Sequence, residues 1–367
     1  MPGLRQSLGL RSPLGPRRIA ALVALACGLL LYLVFSPASD AKRTKLVVQR
    51  RADHAEAITA RSAGAGAADR ANPRERTVIA ELSSAERPAN ASRVASALAD
   101  LVVLMSVDGL RPDVISEHAP HIQRMLRDGS SAVSARTISK SSTLPSHASM
   151  VSGVDFPRHG LVFNAYRPER GHIQFPTIFS AAQNAGLSTA LFVGKRKLRH
   201  LLDPVTESHF EVGGVYCSRV NKLAVPYLET AEPGIVFLHF SDPDGAGHLH
   251  GWMSPEYLKA VGRADRCVGH VLAALERRGR LDRTLVVLTA DHGGHDHDHA
   301  TPILPDTHIP WVAWGGAARR HVRVHRRVFN TDTAASILYA LGLPMPADIE
   351  GRPVFEVLAQ APPPASR

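Results

Sequence analysis

Three uninterrupted apolar runs mark the chain from residue 101 onward: LVVLMSV at 101–107, GIVFLHF at 234–240 and TLVVL at 284–288. Runs that do not alternate between apolar and polar residues are typical of strands buried on both faces of a sheet. An aspartate follows each run within a few residues, in the sequences DG, SDPDGAGH and ADHGG. Because ligands bind at the carboxyl ends of strands in such sheets, we expect these aspartates to meet at one edge.

A helical pattern fills residues 254–279, between the second and third runs. Ser254 is a good N-cap, Pro255 suits the first turn, and apolar residues recur at helical spacing until Gly279. Alternation of strands and helices predicts an α/β fold over residues 99–360. We expect a largely parallel central sheet with helices on both faces.

The amino-terminal region has a different pattern. Four arginines precede an apolar run at residues 19–35 that contains no charged side chain. Its length lies between those of a signal-peptide core and a spanning helix, so residues 1–36 are predicted to be a signal peptide or a signal anchor. Residues 37–98 have few large apolar side chains and are predicted to be a flexible linker. We therefore expect an exported protein, either anchored in a membrane and facing outside the cytoplasm, or periplasmic or secreted.

The net charge of +10 belongs mainly to this amino-terminal region. Residues 1–98 contain 15 Lys and Arg against 7 Asp and Glu (+8), whereas residues 99–367 contain 28 against 26 (+2). A nucleic-acid-binding domain would carry its basic residues on the folded part, so we expect no nucleic-acid recognition. Beyond the apolar run the cysteines are Cys217 and Cys267, which fit either one disulfide or two separate buried thiols.

Histidine and aspartate are concentrated after the second and third runs. PDGAGH places Asp244 and His248 four residues apart across small residues, and TADHGGHDHDHA holds four histidines and three aspartates in residues 289–300. The second stretch fits a metal site, a disordered metal-binding tail or a polar loop. Mixed imidazole and carboxylate ligands favour zinc, with manganese or iron as other occupants.

Four motifs in order, VDGLRPD, STLPSHASMVSG, PDGAGH and ADHGGHDHDH, resemble the alkaline phosphatase superfamily, and in particular its type I phosphodiesterase/nucleotide pyrophosphatase branch. The resemblance covers about residues 101–355. It implies two divalent metal ions, most simply Zn²⁺, at a site of the kind that two-metal hydrolases use. It also implies a small phosphate-ester or nucleotide substrate.

The resemblance also implies a ligand set for each ion. One set would be Asp108, Thr143, Asp291 and His292. The other would be Asp244, His248 and a histidine after the third strand, for which His299 is favoured and His308 is the alternative. The remaining histidines of this stretch, His295 and His297, are expected to lie outside both sets.

Thr143, two residues before a proline, occupies the position of the nucleophile in the family. A hydroxyl activated by a metal needs no neighbouring base, and a helix beginning there would favour phosphate. Asn164 matches the family asparagine that donates to a phosphoryl oxygen. The sulfatase pattern has Cys or Ser at its first position and arginine at its fifth, where the sequence TLPSH has Thr143 and His147, which disfavours sulfate esters.

These observations predict hydrolysis of phosphodiesters or nucleotide pyrophosphates through a covalent phospho-threonine. Alternatives with the same chemistry are a phosphomonoesterase, a phosphonate hydrolase and a transferase of a phosphoryl-linked head group. From a different class, a metal-binding surface protein without catalytic activity also fits the motifs.

Overall fold

The fold is described by a computed structural model over residues 97–204 and 208–359, all within one compact unit, Ala85–Arg367. The predicted leader lies outside the described residues, as does the predicted linker apart from its last two residues. Within the two described ranges, no helix has the length and apolar character needed to cross a membrane.

Short and long strands alternate with helices along this part of the chain. The strands are β1 Leu101–Val107, β2 Ser130–Ala132, β3 Ala135–Arg136, β4 Ser188–Val193, β5 His209–Val212, β6 Gly234–Phe240, β7 Thr284–Thr289, β8 His308–Ile309, β9 Trp311–Trp314, β10 Arg323–Val324 and β11 Val328–Phe329. The helices are α1 Ile115–His118, α2 Pro120–Asp128, α3 Thr143–Ser152, α4 Ile178–Asn184, α5 Cys217–Thr230, α6 Asp242–His250, α7 Pro255–Arg278, α8 Leu304–Thr307 and α9 Asp332–Ala340. Single turns of 3-10 helix occur at Pro112–Val114, Pro168–Arg170, Leu281–Arg283 and Phe355–Val357, with a longer one at Arg196–Leu201.

Eight strands form one sheet in the order β10-β2-β9-β7-β1-β6-β4-β5, and β11-β3-β8 form a smaller one. The five strands β7, β1, β6, β4 and β5 are mutually parallel, while β9 runs antiparallel to both of its neighbours. The three apolar runs of the sequence are the adjacent strands β7, β1 and β6, and every residue in them is buried. The predicted α/β fold with a large central sheet is confirmed.

Helices cover both faces of the sheet. Phe237 in β6 contacts Phe179 of α4, whereas Phe192 in β4 contacts Tyr227 of α5. The register pairs Leu238, not Phe237, with Phe192, and neighbouring side chains along a strand point to opposite faces. Helices α4 and α5 therefore pack on opposite sides.

Helix α7 has the boundaries that its sequence predicts. The hydroxyl of Ser254 accepts a hydrogen bond from the backbone N–H of Tyr257, and Gly279 ends the helix with a left-handed φ of 71°. Cys267 on this helix forms a disulfide with Cys217, the first residue of α5. Of the two alternatives for the cysteines, the structure shows the disulfide.

Candidate metal centre

The three predicted aspartates lie together at the carboxyl edge of β7, β1 and β6. Asp108 follows β1 directly, Asp291 comes two residues after β7, and Asp244 lies in the first turn of α6, just beyond β6. The close approach depends on glycine at position 109, because a Cβ there would lie 3.0 Å from the Cα of Asp244. All three carboxylates are removed from solvent.

One cluster consists of Asp108, Asp291 and His292, each fully buried. The Nε2 atom of His292 lies 3.3 Å from Asp108 Oδ1 and 3.4 Å from Asp291 Oδ2. The other carboxylate oxygen of Asp291 accepts hydrogen bonds from the backbone N–H groups of Gly109 and His292. Backbone contacts therefore fix the Asp291 carboxylate with its second oxygen facing the cluster.

The second cluster consists of Asp244, His248 and His299. The Nε2 atoms of His248 and His299 lie 3.4 Å and 3.6 Å from Asp244 Oδ1. Asp244 and His248 belong to helix α6, so their side chains share one face through the four-residue spacing. The glycine at 247 serves packing, because a Cβ there would lie 2.6 Å from the Trp252 ring.

The clustered histidines present the same nitrogen to the centre. The Nδ1 atoms of His248, His292 and His299 lie 2.9, 2.8 and 2.7 Å from the carbonyl oxygens of His297, Gly293 and Ser141, respectively. An Nδ1–H that donates to a carbonyl leaves the Nε2 lone pair free for a metal.

The other histidines of the motif lie apart from both clusters. His295 contacts the Asp306 carboxylate at 2.7 Å, and His297 contacts the carbonyl of His248 from an exposed position. His308 begins β8 and lines a surface pocket with Arg111. The geometry thus brings together His299, and not His308, with Asp244 and His248.

Thr143 and Asn164 lie next to each other. Thr143 is the first residue of α3 and is buried. The backbone N–H of the following residue, Leu144, donates to Asn164 Oδ1 at 2.9 Å, and Lys197 Nζ donates to the same oxygen at 2.9 Å. With Oδ1 occupied by two donors, the side-chain NH₂ of Asn164 is the group left to donate to a ligand.

Lys195 is a site residue that the sequence reasoning missed. It follows β4 by two residues, and its ammonium group lies 2.6 Å from Asp108 Oδ2, 2.5 Å from Asp244 Oδ2 and 3.4 Å from Thr143 Oγ1. Although burial opposes its charge, Asp108 and Asp244 raise the pKa of Lys195 above its usual value. The signal that the sequence offered was the position of this lysine two residues after the apolar stretch ALFV at 190–193.

Two buried histidines that the sequence reasoning also missed lie beside the first cluster. His239 in β6 contacts Asp108 Oδ2 at 2.9 Å through Nε2. His147 in α3 contacts the carbonyl of Thr143 at 2.7 Å and the hydroxyl of Ser106 at 2.8 Å. Burial lowers the pKa of His147 to about 4, so its ring is neutral near pH 7.

The pKa values of Asp291 and Asp108 are shifted in opposite directions. Burial, together with the charge of Asp108, raises the pKa of Asp291 to about 7. Burial also opposes ionisation of Asp108, but Lys195, His239 and His292 hold its pKa well below the usual range. Converging carboxylates of this kind need further positive charge to be ionised together.

Unpaired atoms show that the residues fit metal ions. Eight buried side-chain atoms of the described ranges form no hydrogen bond, and four of them are Asp108 Oδ1, Asp244 Oδ1, Asp291 Oδ2 and His292 Nε2. Buried polar atoms normally have partners, and all four of these belong to the two clusters. Carboxylate oxygens and imidazole nitrogens are the donors that zinc takes.

Comparison with known proteins identifies a family. The model of type I phosphodiesterase/nucleotide pyrophosphatase matches residues 102–336, more than half of the chain. Human ectonucleotide pyrophosphatase/phosphodiesterase family member 7 is 26% identical over 218 residues, covering 52% of this chain and 47% of that protein. Bis(5'-adenosyl)-triphosphatase ENPP4 of Pongo abelii is 23% identical over 219 residues, covering 54% and 48%. The chain thus spans about half the length of the curated relatives it matches.

Solved structures share the fold. An inactive variant of murine ectonucleotide pyrophosphatase/phosphodiesterase 5 in complex with AMP superposes with a TM-score of 0.60 at 15% identity, covering 69% of this chain and 97% of that one. Phosphonate monoester hydrolase from Silicibacter pomeroyi superposes with a TM-score of 0.54 at 16% identity, covering 70% and 76%. These structures show the shared fold, and the matched family model shows that the chain belongs to the type I phosphodiesterase/nucleotide pyrophosphatase family.

Proposed function

We propose that the chain is an exported, metal-dependent phosphoric ester hydrolase that cleaves phosphodiesters or nucleotide pyrophosphates through a covalent phospho-threonine at Thr143. The observation that carries the proposal is the position of the Lys195 ammonium group. It contacts Asp108 of one cluster, Asp244 of the other and the hydroxyl of Thr143. One cation can therefore touch both ligand sets and the nucleophile at the same time.

Two ligand sets follow from the clusters and the family resemblance. Asp108, Thr143, Asp291 and His292 would hold one divalent ion; Asp244, His248 and His299 would hold the other. Zinc fits the mixture of carboxylate and imidazole donors best. Bound ions would lower the pKa of the threonine hydroxyl and balance the charge of the phosphoryl oxygens.

The residues of the chain itself position the reacting groups. Thr143 begins a ten-residue helix, whose amino terminus favours a phosphate group. Asn164, held by Leu144 and Lys197, directs its NH₂ group to a phosphoryl oxygen. The Nδ1 atom of His147 contacts the backbone carbonyl of Thr143 at 2.7 Å. These contacts keep the nucleophile in one orientation before substrate arrives, which reduces the entropic cost of the attack.

The proposed reaction has two in-line steps. The oxygen of Thr143, having lost its proton to solvent, attacks phosphorus, and the ester P–O bond breaks as the leaving oxygen takes up a proton. Water then attacks the phospho-threonine, the bond between phosphorus and Oγ1 breaks, and the hydroxyl of Thr143 is restored as the phosphate product leaves.

Nucleotides are the proposed substrate class, because the related murine structure binds AMP and the curated relatives are named as pyrophosphatases and a triphosphatase. A phosphomonoesterase is the second candidate. Lys195 and Lys197 place two ammonium groups beside Thr143 and Asn164. This positive charge would favour a dianionic monoester over a monoanionic diester.

Export is proposed from the predicted leader and from the disulfide. A disulfide between Cys217 and Cys267 persists in an oxidising compartment outside the cytoplasm. The leader would act either as a cleaved signal peptide or as an anchor.

Thr143→Ala tests the function. We expect hydrolysis of bis-p-nitrophenyl phosphate, p-nitrophenyl phosphate and a nucleoside triphosphate to fall by at least about a thousandfold, because the covalent step is lost. The better substrate of the unchanged protein decides between diesterase and monoesterase. Ser142→Ala is the matched control, since the Ser142 side chain makes no capping hydrogen bond.

Three results would count against the proposal. Undiminished hydrolysis in the Thr143→Ala protein would show that another group is the nucleophile. Equal loss in the Ser142→Ala protein would indicate damage to the helix start. Metal binding without hydrolysis of any panel substrate by the unchanged protein would favour the metal-binding surface protein.

A further inference from the structure

A dense run of basic residues lies outside the metal centre. Residues 317–329, AARRHVRVHRRVF, contain five arginines and two histidines and no acidic residue. Residues 99–367 carry 28 Lys and Arg against 26 Asp and Glu, so without these five arginines the balance is 23 against 26, or −3. We name as the arginine ridge Arg319, Arg320, His321, Arg323, His325, Arg326 and Arg327.

The arginine ridge is exposed along the edge of the main sheet. It includes β10, the outermost strand on that side, and all seven of its side chains are exposed. Among the described residues, only Arg326 of the ridge forms ion pairs with carboxylates, those of Glu356 and Asp332. The other four ridge arginines form no ion pair with a carboxylate in this part of the chain, although Arg320 Nε donates to the backbone carbonyl of Asp128.

The backbone around the ridge is held in place. Ser130 Oγ donates to the carbonyl of Arg319, the backbone N–H of His321 donates to the carbonyl of Gly129, and Arg323 donates to the hydroxyl of Ser131. These contacts fix the backbone at Arg319 and His321 and the side chain of Arg323 against residues 129–131. Arg323 lies in β10, and the other ridge residues lie in the segments that flank it.

A groove of about 590 Å³ adjoins the ridge. Its lining includes the apolar residues Pro112, Ile115 and Leu126, the polar residues Ser116 and Gln123, and the basic residues Arg127, His321 and Arg323. Apolar and basic residues in one groove fit an amphiphile with an anionic head group.

From this charge pattern and the groove, we propose that the arginine ridge docks the domain onto an anionic phospholipid surface, with a lipid head group entering the groove. Clusters of basic residues are attracted to anionic bilayers, and each arginine that comes close to the bilayer surface adds to the binding free energy. The predicted amino-terminal segment and linker would keep the domain near a membrane, which raises the effective concentration of the ridge at that surface. Nucleic acid fits less well, because the ridge offers no row of aromatic side chains on which bases could stack.

Edge protection is the competing explanation, since charged side chains on an edge strand prevent pairing with another sheet. The two explanations differ in what they require. Edge protection needs charge on β10 alone and no lipid, whereas docking predicts a change in the ridge only when anionic lipid is present.

Hydrogen exchange on the full chain tests the proposal. The protein is mixed with vesicles of phosphatidylcholine alone or with phosphatidylglycerol added, and exchange of the 317–329 backbone amides is followed by mass spectrometry. We expect phosphatidylglycerol to slow this exchange by roughly tenfold or more, and high salt to reverse the effect.

Three variants give the test its specificity. R319Q/R320Q/R323Q should weaken docking by about a hundredfold, at roughly fivefold per arginine, and return exchange to the phosphatidylcholine rate. R319K/R320K/R323K keeps the charge and should retain protection. The control R219Q/R266Q/R277Q removes three exposed arginines from α5 and α7 and should also retain it.

Several outcomes would overturn the proposal. Equal exchange of the ridge with both kinds of vesicle would exclude lipid docking. Aggregation of the glutamine variant, with no effect of lipid on the unchanged protein, would support edge protection. Loss of protection in the α5 and α7 control would indicate attraction by total charge. Equal protection by short duplex DNA would point to a general polyanion surface.

Discussion

The two aspartates that flank strand β1 are neutralised in different ways. Asp100, at the amino end, is partly exposed and pairs with Arg283 at 2.8 Å and Arg280 at 3.2 Å. Asp108, at the carboxyl end, is fully buried between Lys195 and His239, and its Oδ1 atom forms no hydrogen bond. The carboxylate at one end of β1 therefore has a partner for each oxygen, whereas the carboxylate at the other end does not.

The difference separates stability from function. At the amino end each oxygen of the Asp100 carboxylate accepts a hydrogen bond from a different arginine. Such full pairing is typical of a charged residue whose role is in the stability of the fold. At the carboxyl end three buried carboxylates converge with too few hydrogen-bond partners. Such an arrangement lowers the stability of the folded chain, and proteins retain it where a site needs it. The carboxyl edge of the sheet is therefore the functional edge.

The largest expected effect comes from Asp291→Asn. In the proposed hydrolase we expect kcat/KM to fall on the order of a thousandfold, about 4 kcal/mol of lost transition-state stabilisation, because one ion loses a ligand. The free energy of unfolding of the metal-free protein should instead rise by about 1 kcal/mol or more, because one of three converging charges is removed. Urea denaturation in the presence of a chelator measures this second effect.

Asp332→Asn is the matched control for that prediction. Asp332, the first residue of α9, is also buried, but its two carboxylate oxygens accept hydrogen bonds from the backbone N–H groups of Phe329 and Arg352, and it lies in neither cluster. We expect this change to reduce stability while both ions still bind. If Asp291→Asn also destabilised the metal-free protein, the carboxyl edge would not be under electrostatic strain, and the comparison with Asp100 would fail.

A smaller effect is expected from His299→Ala. His299 lies in the second cluster, so its loss should weaken binding of one ion by about a hundredfold or more and leave the other in place. His308→Ala is the control, because the structure places His308 at the start of β8, away from both clusters. The number of metal ions retained by each variant after dialysis measures this effect. Loss of an ion in the His308 variant alone would reverse the ligand assignment.

Lys195→Gln should change two quantities by about tenfold each, the affinity for zinc and the rate of hydrolysis. The ammonium group competes with cations for Asp108 and Asp244, so its removal should tighten zinc binding by about tenfold. It also faces Thr143, so hydrolysis should slow by a similar factor. Zinc titration and steady-state kinetics measure the two quantities separately. Weaker zinc binding in the variant would mean that Lys195 orients the carboxylates and does not compete for them.

The sequence predicted the parts of this centre that depend on local patterns. Strands β1, β6 and β7 were visible as apolar runs, and the tendency of ligands to bind at strand ends predicted that Asp108, Asp244 and Asp291 lie together. The boundaries of α7 followed from Ser254 and Gly279. These features need only a few neighbouring residues to be recognised.

The rest depends on contacts between distant parts of the chain. Lys195 lies in the sequence GKRKLR, where a charged run resembles a solvated surface, and only the order of strands β6 and β4 brings it to Asp108. His239 was hidden inside an apolar strand. Helix α6 was missed because Gly245 and Gly247 disfavour a helix locally, although packing against Trp252 requires the second of them.

Asp100→Asn tests the amino end, where the smallest effect is expected. The hydrogen bond from Arg283, reinforced by the charges of Arg283 and Arg280, lowers the pKa of Asp100, although partial burial opposes this. A carboxyl whose pKa is lowered by folding stabilises the fold above its unfolded pKa, near 4, and loses that contribution as the pH falls through its folded value.

The Asn variant should therefore be less stable at pH 7 by roughly 0.5–1 kcal/mol, the range of a pair that solvent partly screens. The difference should shrink as the pH falls below about 4, because the unchanged protein then loses the same charge. Urea denaturation across this pH range measures it. A difference that persists at low pH would assign the effect of Asp100 to shape or neutral hydrogen bonding, and the amino end would no longer be an ion pair in energetic terms. A gain in stability at pH 7 would place Asp100 with the strained carboxylates of the opposite edge.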